Sequence, residues 1–415
     1  MPDVPATTPP PSSPDEVADR RGAPVSLAGI TVLQLIPALE TGGAERTTID
    51  IAAALAEAGA RALVATQGGR LVGELQARGG LWIPFPAATK NPLRMWSNAA
   101  RLVELAREEN VDIIHARSRA PAWSGLWASR RLRMPFVTTY HGTYSAGNAL
   151  KRRYNSIMAR GDAVIANSAF TGRAIAQTWP EAAPRLHVIP RGTDLAAFTP
   201  AVVSLDRVEA LRQAWGVAPH QRVVLLPGRL TGWKGQRVLI EAAAILVADG
   251  LEDAVFVLAG DHQGRDGYVA ELDALVLEKK LVGIVRRVGH CADMPAAYLA
   301  AAAAAIPSTS PEAFGRTAVE AQAMGCPVVV ADHGATPETV LAPPETPALV
   351  RTGWRVPPSD PVALAEALGE ALSLGASARE VMALRARAHV EEHFSLEAMC
   401  RSTLAVYAEL LQAGM

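Results

Sequence analysis

Ser308-Thr309-Ser310-Pro311-Glu312-Ala313-Phe314-Gly315-Arg316-Thr317-Ala318-Val319-Glu320-Ala321-Gln322-Ala323-Met324-Gly325-Cys326-Pro327-Val328-Val329-Val330 compresses a loop, a helix start, a helix stop and a buried strand into one stretch. Gly315 opens the helical run, Gly325 closes it just past its end, and Pro327 forbids its continuation. Val328 to Val330 then reads as a short strand buried on both faces, the kind found in parallel sheets. Glu312 and Glu320 bracket the helix start. Glu320 is unusual because its neighbours one turn on, Ala323 and Met324, are apolar. A carboxylate on the core-facing edge of a helix is unfavourable unless something pairs with it. Two partners are open at this point: Arg316, one turn back in an ordinary i,i+4 pair, or a hydroxyl-bearing ligand.

Working outward, the chain of 415 residues exceeds one ordinary core and calls for two domains or more. A hydrophobic content of 49% with 20% charged residues fits a globular protein rather than a disordered one. The formal net charge of -1 gives no general attraction to nucleic acid or membrane. Cys291, Cys326 and Cys400 have no metal-ligand spacing and suit a reducing compartment. No apolar run approaches the ~20 residues of a membrane span, and the N-terminus lacks the pattern of a secretory signal. The expected location is the cytoplasm.

Residues 1–27, rich in Pro, Ser, Ala and Asp, are expected to be a disordered tail, with order beginning near Ile30. Residues 28–200 then alternate strands with helical patterns. The strands are Thr31–Ile36, Ala62–Thr66, Trp82–Phe85, Asp112–His115, Phe136–Tyr140 and Ala163–Ala166, closing near Val188-Ile189. A polar linker follows up to Asp206. The alternation restarts at Arg222–Pro227 and continues through Val255–Ala259, Ile284–Val288, Ala304–Pro307, Val328–Ala331 and Trp354–Val356, giving a second unit over 207–393. A last helix, Leu396–Gln412, occupies most of 394–415. Such alternation predicts α/β architecture: two doubly wound, Rossmann-like domains with parallel sheets, facing across a cleft at the carboxyl ends of their strands.

Four constellations sit at those strand ends. In Gly228-Arg229-Leu230-Thr231-Gly232-Trp233-Lys234-Gly235, a planar guanidinium and a compact ammonium are separated by glycines, which suits a diphosphate. The alternative is a pair of solvated cations, disfavoured because cations oppose the dipole at a helix N-terminus. The Phe314-Gly315-Arg316 amides form a second anion site at a helix start. Gly42-Gly43-Ala44-Glu45, between the first strand and a helix, either faces an anion or makes a tight turn; its spacing is not that of a dinucleotide fold. His141, in Tyr140-His141-Gly142, can bond a sugar hydroxyl or assist proton transfer, although a lone His is more often a structural hydrogen-bonder. His115 has a similar placement.

One further asymmetry stands out. From Ile113 to Gly161 there is no Asp or Glu, while Arg117, Arg119, Arg130, Arg131, Arg133, Lys151, Arg152, Arg153 and Arg160 are interleaved with Trp123 and Trp127. The window suits an anionic membrane surface or an anionic lipid-linked acceptor. It equally suits a solvated basic face, and no nucleic-acid motif accompanies it.

Taken in order, these motifs resemble the GT-B glycosyltransferases of family 4 over nearly the whole chain after the tail. The resemblance rests on Gly42-Gly43-Ala44-Glu45, Gly228-Arg229 with Lys234-Gly235, Pro307-Ser308, the Glu312 and Glu320 pair, and Gly325-Cys326-Pro327-Val328-Val329. It implies a retaining, metal-independent transfer of a hexose-type sugar from a nucleotide diphosphate sugar, with the donor held by the second domain and the acceptor by the first. Arg229 and Lys234 are then expected on the diphosphate, Glu320 on the ribose and Glu312 on the sugar. Phe314, Gly315 and Arg316 join Gly42 and Gly43 around the phosphates and sugar. Val288 and Cys291 lie where relatives hold the base, and His141 where they contact the donor sugar. Arg229, Lys234, Glu312 and His141 are the expected catalytic set. No cofactor or metal is expected beyond the sugar nucleotide co-substrate. A lipid-linked or lipopolysaccharide-core glycan is the expected acceptor, at the inner face of the cell membrane, and the last helix is expected to cross back onto the first domain. The competing readings are a catalytically silent sugar nucleotide-binding or scaffold protein and, less favoured, a sugar nucleotide epimerase, for which no acid/base motif is found.

Overall fold

The computed structural model describes residues 25–40, 42–144 and 147–413. The tail expected over residues 1–27 falls outside them up to position 24, and its last residues do not behave as a tail. Leu27 is buried in the first domain's core, and its N–H donates to Ala58 O at 3.0 Å. An apolar residue beside a helix end gains more from burial than it loses in chain entropy.

The first sheet is wholly parallel, in the order β3-β2-β1-β4-β5-β6-β7. Its strands are β1 Thr31–Leu35, β2 Arg61–Thr66, β3 Leu81–Pro84, β4 Ile113–Ala116, β5 Phe136–Tyr140, β6 Ala163–Ala166 and β7 Leu186–Val188. The second is also parallel, in the order β10-β9-β8-β11-β12-β13. It comprises β8 Arg222–Pro227, β9 Ala254–Ala259, β10 Val285–Gly289, β11 Ala301–Ile306, β12 Val328–Ala331 and β13 Trp354–Val356. Each sheet reverses its winding beside its first strand, β1 or β8, and a crevice opens there at the carboxyl ends. Helices cover both faces, so β1, β5 and β6 are buried throughout, and their sequences are mostly apolar, with Gln34, Thr138 and Thr139 among the buried polar exceptions.

Two segments depart from expectation. The alanine-rich run divides into a helix, Met294–Ala300, and β11, which starts three residues earlier than its sequence suggests. Alanine is a poor strand former on its own, but β11 lies between β8 and β12, and that burial overrides propensity. The stretch after the linker forms a helix, Leu205–Ala214, that the sequence pattern does not announce. It contains no fully buried residue and so carries a weak apolar stripe. Ser204 caps it, and Arg207 ties it to Asp293, which also caps the helix Met294–Ala300.

The last helix, Leu396–Ala413, lies on the first domain. Met399, Cys400, Leu404, Val406 and Tyr407 join the core that holds Ile49, Ala52 and Leu55. At the crossing, Thr193 N–H donates to Phe394 O at 2.8 Å and Leu396 N–H donates to Thr193 O at 3.0 Å. Full burial of each such apolar side chain is worth about 1.5–3 kcal/mol, so this helix fastens the end of the chain firmly to the first domain.

Candidate active site

The second domain contributes its half of the cleft from the ends of β8 and β11. After β8 the chain turns through Gly228 and a short 3-10 turn, Gly232–Lys234, to Gly235. Gly235 has φ +78°, and a Cβ there would lie 1.9 Å from Pro307 O. Only glycine lets the β8 loop sit this close to the end of β11. That approach brings Lys234 Nζ to 2.6 Å from Glu312 Oε1, with the ammonium 4.5 Å from the centre of the Trp233 ring. Ser308 Oγ donates to the same carboxylate oxygen at 2.6 Å. Arg229, in contrast, is exposed and its guanidinium has no protein partner among the described residues, leaving a free cation at the strand end.

Glu320 is 6% exposed and has one protein partner at each oxygen, leaving lone pairs to spare: Arg316 Nε lies 3.1 Å from one oxygen, and Tyr298 Oη donates to the other at 3.2 Å. The ordinary i,i+4 partner is therefore present. Burial nevertheless holds this carboxyl above the usual range, with Arg316 and Tyr298 pulling the other way. Gly315 (φ +86°) begins the helix Arg316–Ala323 without any side-chain cap, so its first N–H groups face the loop unclaimed by side chains. Phe314 is buried against Phe394 and anchors that loop. Val288 is at the end of β10, and Cys291 follows it, half-buried, with its thiol pushed up by burial.

The first domain supplies Gly42, Gly43 and His141. Gly42 precedes the helix Gly43–Glu57. A Cβ on Gly43 would fall 2.4 Å from Arg191 Nη1, so the absent side chain makes room for that guanidinium. Arg191 Nη2 donates to His141 Nδ1 at 2.8 Å. Burial and the neighbouring Arg191 and Arg117 cations keep the imidazole well below its usual pKa, and it is neutral. His115 does not reach the cleft. It is fully buried, bridging Tyr407 Oη at 2.6 Å and Thr139 Oγ1 at 2.7 Å, and fastens the last helix.

The two halves touch. Ser168 Oγ donates to Ala313 O at 2.6 Å, and Glu338 accepts the N–H groups of Ala169 (2.8 Å) and Phe170 (2.5 Å) at the start of the helix Ala169–Thr178. The loop carrying Glu312 is thereby held directly against the first domain.

Comparisons with known proteins agree with this geometry. The family models described as Glycosyltransferase Family 4 and Glycosyl transferases group 1 match residues 41–197 and 207–389. The D-inositol 3-phosphate glycosyltransferase of Jonesia denitrificans is 30% identical over 346 residues, covering 78% of this chain and 79% of its own. This chain belongs to the family 4-type GT-B glycosyltransferases. The glycosyltransferase from Rickettsia africae superposes with a TM-score of 0.84 at 34% identity, covering 92% of this chain and 99% of its own. Anabaena HepE, solved with UDP and glucose, gives 0.79 at 28% identity, covering 92% of this chain and all (100%) of its own.

The basic window of this glycosyltransferase is only partly a surface. Arg117 is 3% exposed and donates to Gln34 Oε1 through Nε (2.9 Å) and Nη2 (2.6 Å), so it cannot contact a membrane. Its position directly after β4 turns it inward beneath the cleft. Arg130 is paired with Asp162, and Arg119 lies against the Tyr144 ring and Asn155. Arg131, Arg133, Lys151, Arg152 and Arg153 are exposed, as are Trp127 and Leu150. Among the described residues, no helix is long and apolar enough to cross a membrane, and no cluster of three His, Cys, Asp or Glu could hold a metal ion. Sequence reasoning missed the roles of Ser308, Arg191 and Glu338: Arg191 and Glu338 act on residues distant in the chain, and Ser308 on Glu312 across a loop with no periodic pattern.

Proposed function

We propose that this glycosyltransferase moves a hexose-type sugar, with retention and without a metal, from a nucleotide diphosphate sugar to a glycan or lipid-linked acceptor. The observation that carries the reading is the gathering of Arg229, Lys234, Glu312 and an uncapped helix start at one sheet edge, facing His141 across the cleft. The UDP and glucose held by the similar HepE support a sugar nucleotide in this cleft. Arg229 is free to take the diphosphate, and Lys234 stands beside Glu312 to share it. As the anomeric carbon–oxygen bond breaks, negative charge gathers on the departing phosphate, where these cations stabilise it. The acceptor hydroxyl adds on the same face of the sugar, and its proton passes to the departing phosphate oxygen. No protein nucleophile is assigned. Glu312 positions Lys234 and contacts the sugar, while Glu320 receives the ribose hydroxyls.

The Glu320 assignment has a pH signature. Hydrogen bonds from ribose to the carboxylate stabilise its charged form, so the bound complex has a lower pKa than the raised value of the free protein. Binding then releases protons, and affinity rises with pH through the range where free Glu320 ionises. Calorimetric titration of UDP, GDP and ADP in buffers of different ionisation heat checks this, and a screen of their sugars with extracted lipid and glycan acceptors checks transfer. Unchanged proton release in Glu320→Gln removes the ribose assignment. Absence of transfer from every donor leaves the silent binding protein as the better reading.

A peripheral membrane role is proposed for the exposed part of the basic window. Lys151, Arg152 and Arg153 flank Leu150, which is 81% exposed, so cations and an apolar anchor share the helix Ala149–Asn155. Binding to anionic vesicles is expected to fall steeply between low and physiological salt, and to weaken severalfold in Lys151→Ala with Arg152→Ala. Cosedimentation that ignores both salt and these substitutions removes the membrane role.

A further inference from the structure

Beneath the Gly42-Gly43 loop lies a narrow pocket at the carboxyl ends of β4, β5, β6 and β7, lined by Arg117, Thr139, His141, Asn167 and Arg191 among others. Its base has room for a group of about one water's size. Several buried polar atoms here have no partner: both Asn167 amide atoms, His141 Nε2 and Arg191 Nε. Asn167 is only 2% exposed. Since a guanidinium can only donate, His141 Nδ1 is the acceptor in its bond to Arg191, and the ring proton resides on Nε2. The orphaned set is thus three donors and one acceptor. Buried polar groups in folded proteins are almost always paired, so this set points to a missing, acceptor-rich partner.

Charge narrows the partner further. Arg117 and Arg191 are both cations in this pocket, and neither forms an ion pair with a carboxylate among the described residues. Glu45, Glu312 and Asp50 act on them only from a distance. Burial, with Arg316 adding to it, brings Arg191 down to about 10, still charged at neutral pH. A neutral hydroxyl or a water satisfies some of the donors but none of the uncompensated charge. Ser168, next to Asn167, bonds the loop that carries Glu312, so the pocket opens beside the place proposed for the transferred sugar.

We propose that this pocket is an oxyanion subsite: it takes one oxygen of a carboxylate or phosphoryl group carried by the substrate, and selects an anionic sugar over a neutral one. Arg191 and Asn167 are its specificity-determining residues, with His141 Nε2–H as a further donor. The inference rests on the donor-cleft reading above. Two sources of the anion are open to test, the transferred sugar and the acceptor.

The first arm compares binding of UDP-glucose with UDP-glucuronate; GDP-mannose and GDP-mannuronate replace them if guanosine is the base bound. The second arm holds the nucleoside diphosphate saturating and compares glucose with glucuronate and glucose 6-phosphate. In one arm the anionic ligand is expected to bind about tenfold more tightly, as for a charge-assisted arginine contact. The preference is expected to drop below about threefold in Arg191→Gln and in Asn167→Leu, with affinity for the nucleoside diphosphate unchanged. Asn167→Leu deletes two orphaned atoms and is expected to melt no lower than the wild type, so it decides the matter even if Arg191→Gln folds poorly. Nucleotide binding with no anion preference in either arm overturns the subsite alone, as does a preference that survives both substitutions. Failure to bind any nucleoside diphosphate overturns the donor reading and the subsite together.

Discussion

Lys234→Ala is expected to lower the turnover of sugar transfer by about 100- to 1000-fold, the usual effect of deleting one preorganised group that stabilises a developing oxyanion. Lys234 does not act alone: its Nζ lies 2.6 Å from Glu312 Oε1, with side-chain exposures of 13% and 11%. Removing the ammonium therefore also leaves a nearly buried carboxylate with Ser308 as its main donor. Breaking a buried ion pair from one side costs on the order of 3 kcal/mol. Lost activity in the single variant is thus ambiguous between missing electrostatics and a rearranged loop. The double variant Lys234→Met with Glu312→Gln separates them. It abolishes both charges, so its melting temperature is expected to recover most of what the single variant loses, while turnover stays down. Recovery of turnover in the double variant overturns the role assigned to Lys234. Turnover and thermal unfolding measured on all three proteins settle the question.

That pairing marks the boundary of what the residues alone disclose. The β8 loop, the helix start at Gly315 and the placement of Glu320 are legible because glycine, proline and apolar periodicity act over a few neighbouring residues, and the structure keeps Arg316 beside Glu320 as helical spacing requires. The alternation of strands and helices is equally local, and it fixes two parallel sheets and hence the cleft. What stays hidden joins segments far apart in the chain. Lys234 meets Glu312 across 78 positions, and His141 meets Arg191 across 50. Arg117 shows why a charge count over a window misleads. The residue after a central strand points beneath the cleft whatever its neighbours do, so one cation of a seemingly uniform basic face is buried against Gln34. The helix Leu205–Ala214 escapes for the opposite reason: it buries too little to write a period into its sequence.

Glu338→Ala is expected to loosen the two domains and to lower turnover about tenfold while leaving each domain folded. Glu338 belongs to the short turn Thr336–Thr339 of the second domain, yet its two oxygens accept N–H groups at the start of the helix Ala169–Thr178 of the first. A helix N-terminus presents unpaired donors and a positive dipole end, so a carboxylate arriving from another domain satisfies both. Hydrogen bonds to a charged group are worth about 1.5–3 kcal/mol each. Losing both removes several kcal/mol of domain contact, reduced somewhat because the Glu338 side chain remains 24% exposed. Ser168 and Thr171, both donating to Ala313 O, are then left to carry the junction beside the Glu312 loop. Glu338→Gln has one carbonyl oxygen in place of two, and its amide nitrogen opposes a backbone N–H, so it is expected to fall between wild type and alanine. Small-angle scattering is expected to show an increase in radius of gyration in the order wild type, Gln, Ala, with turnover falling in the same order. Equal radii with unequal turnover would place the effect of Glu338 in the cleft rather than at the junction, because this turn also reaches the Glu312 loop directly: the N–H of Ala335, just before the turn, donates to Glu312 O at 2.9 Å.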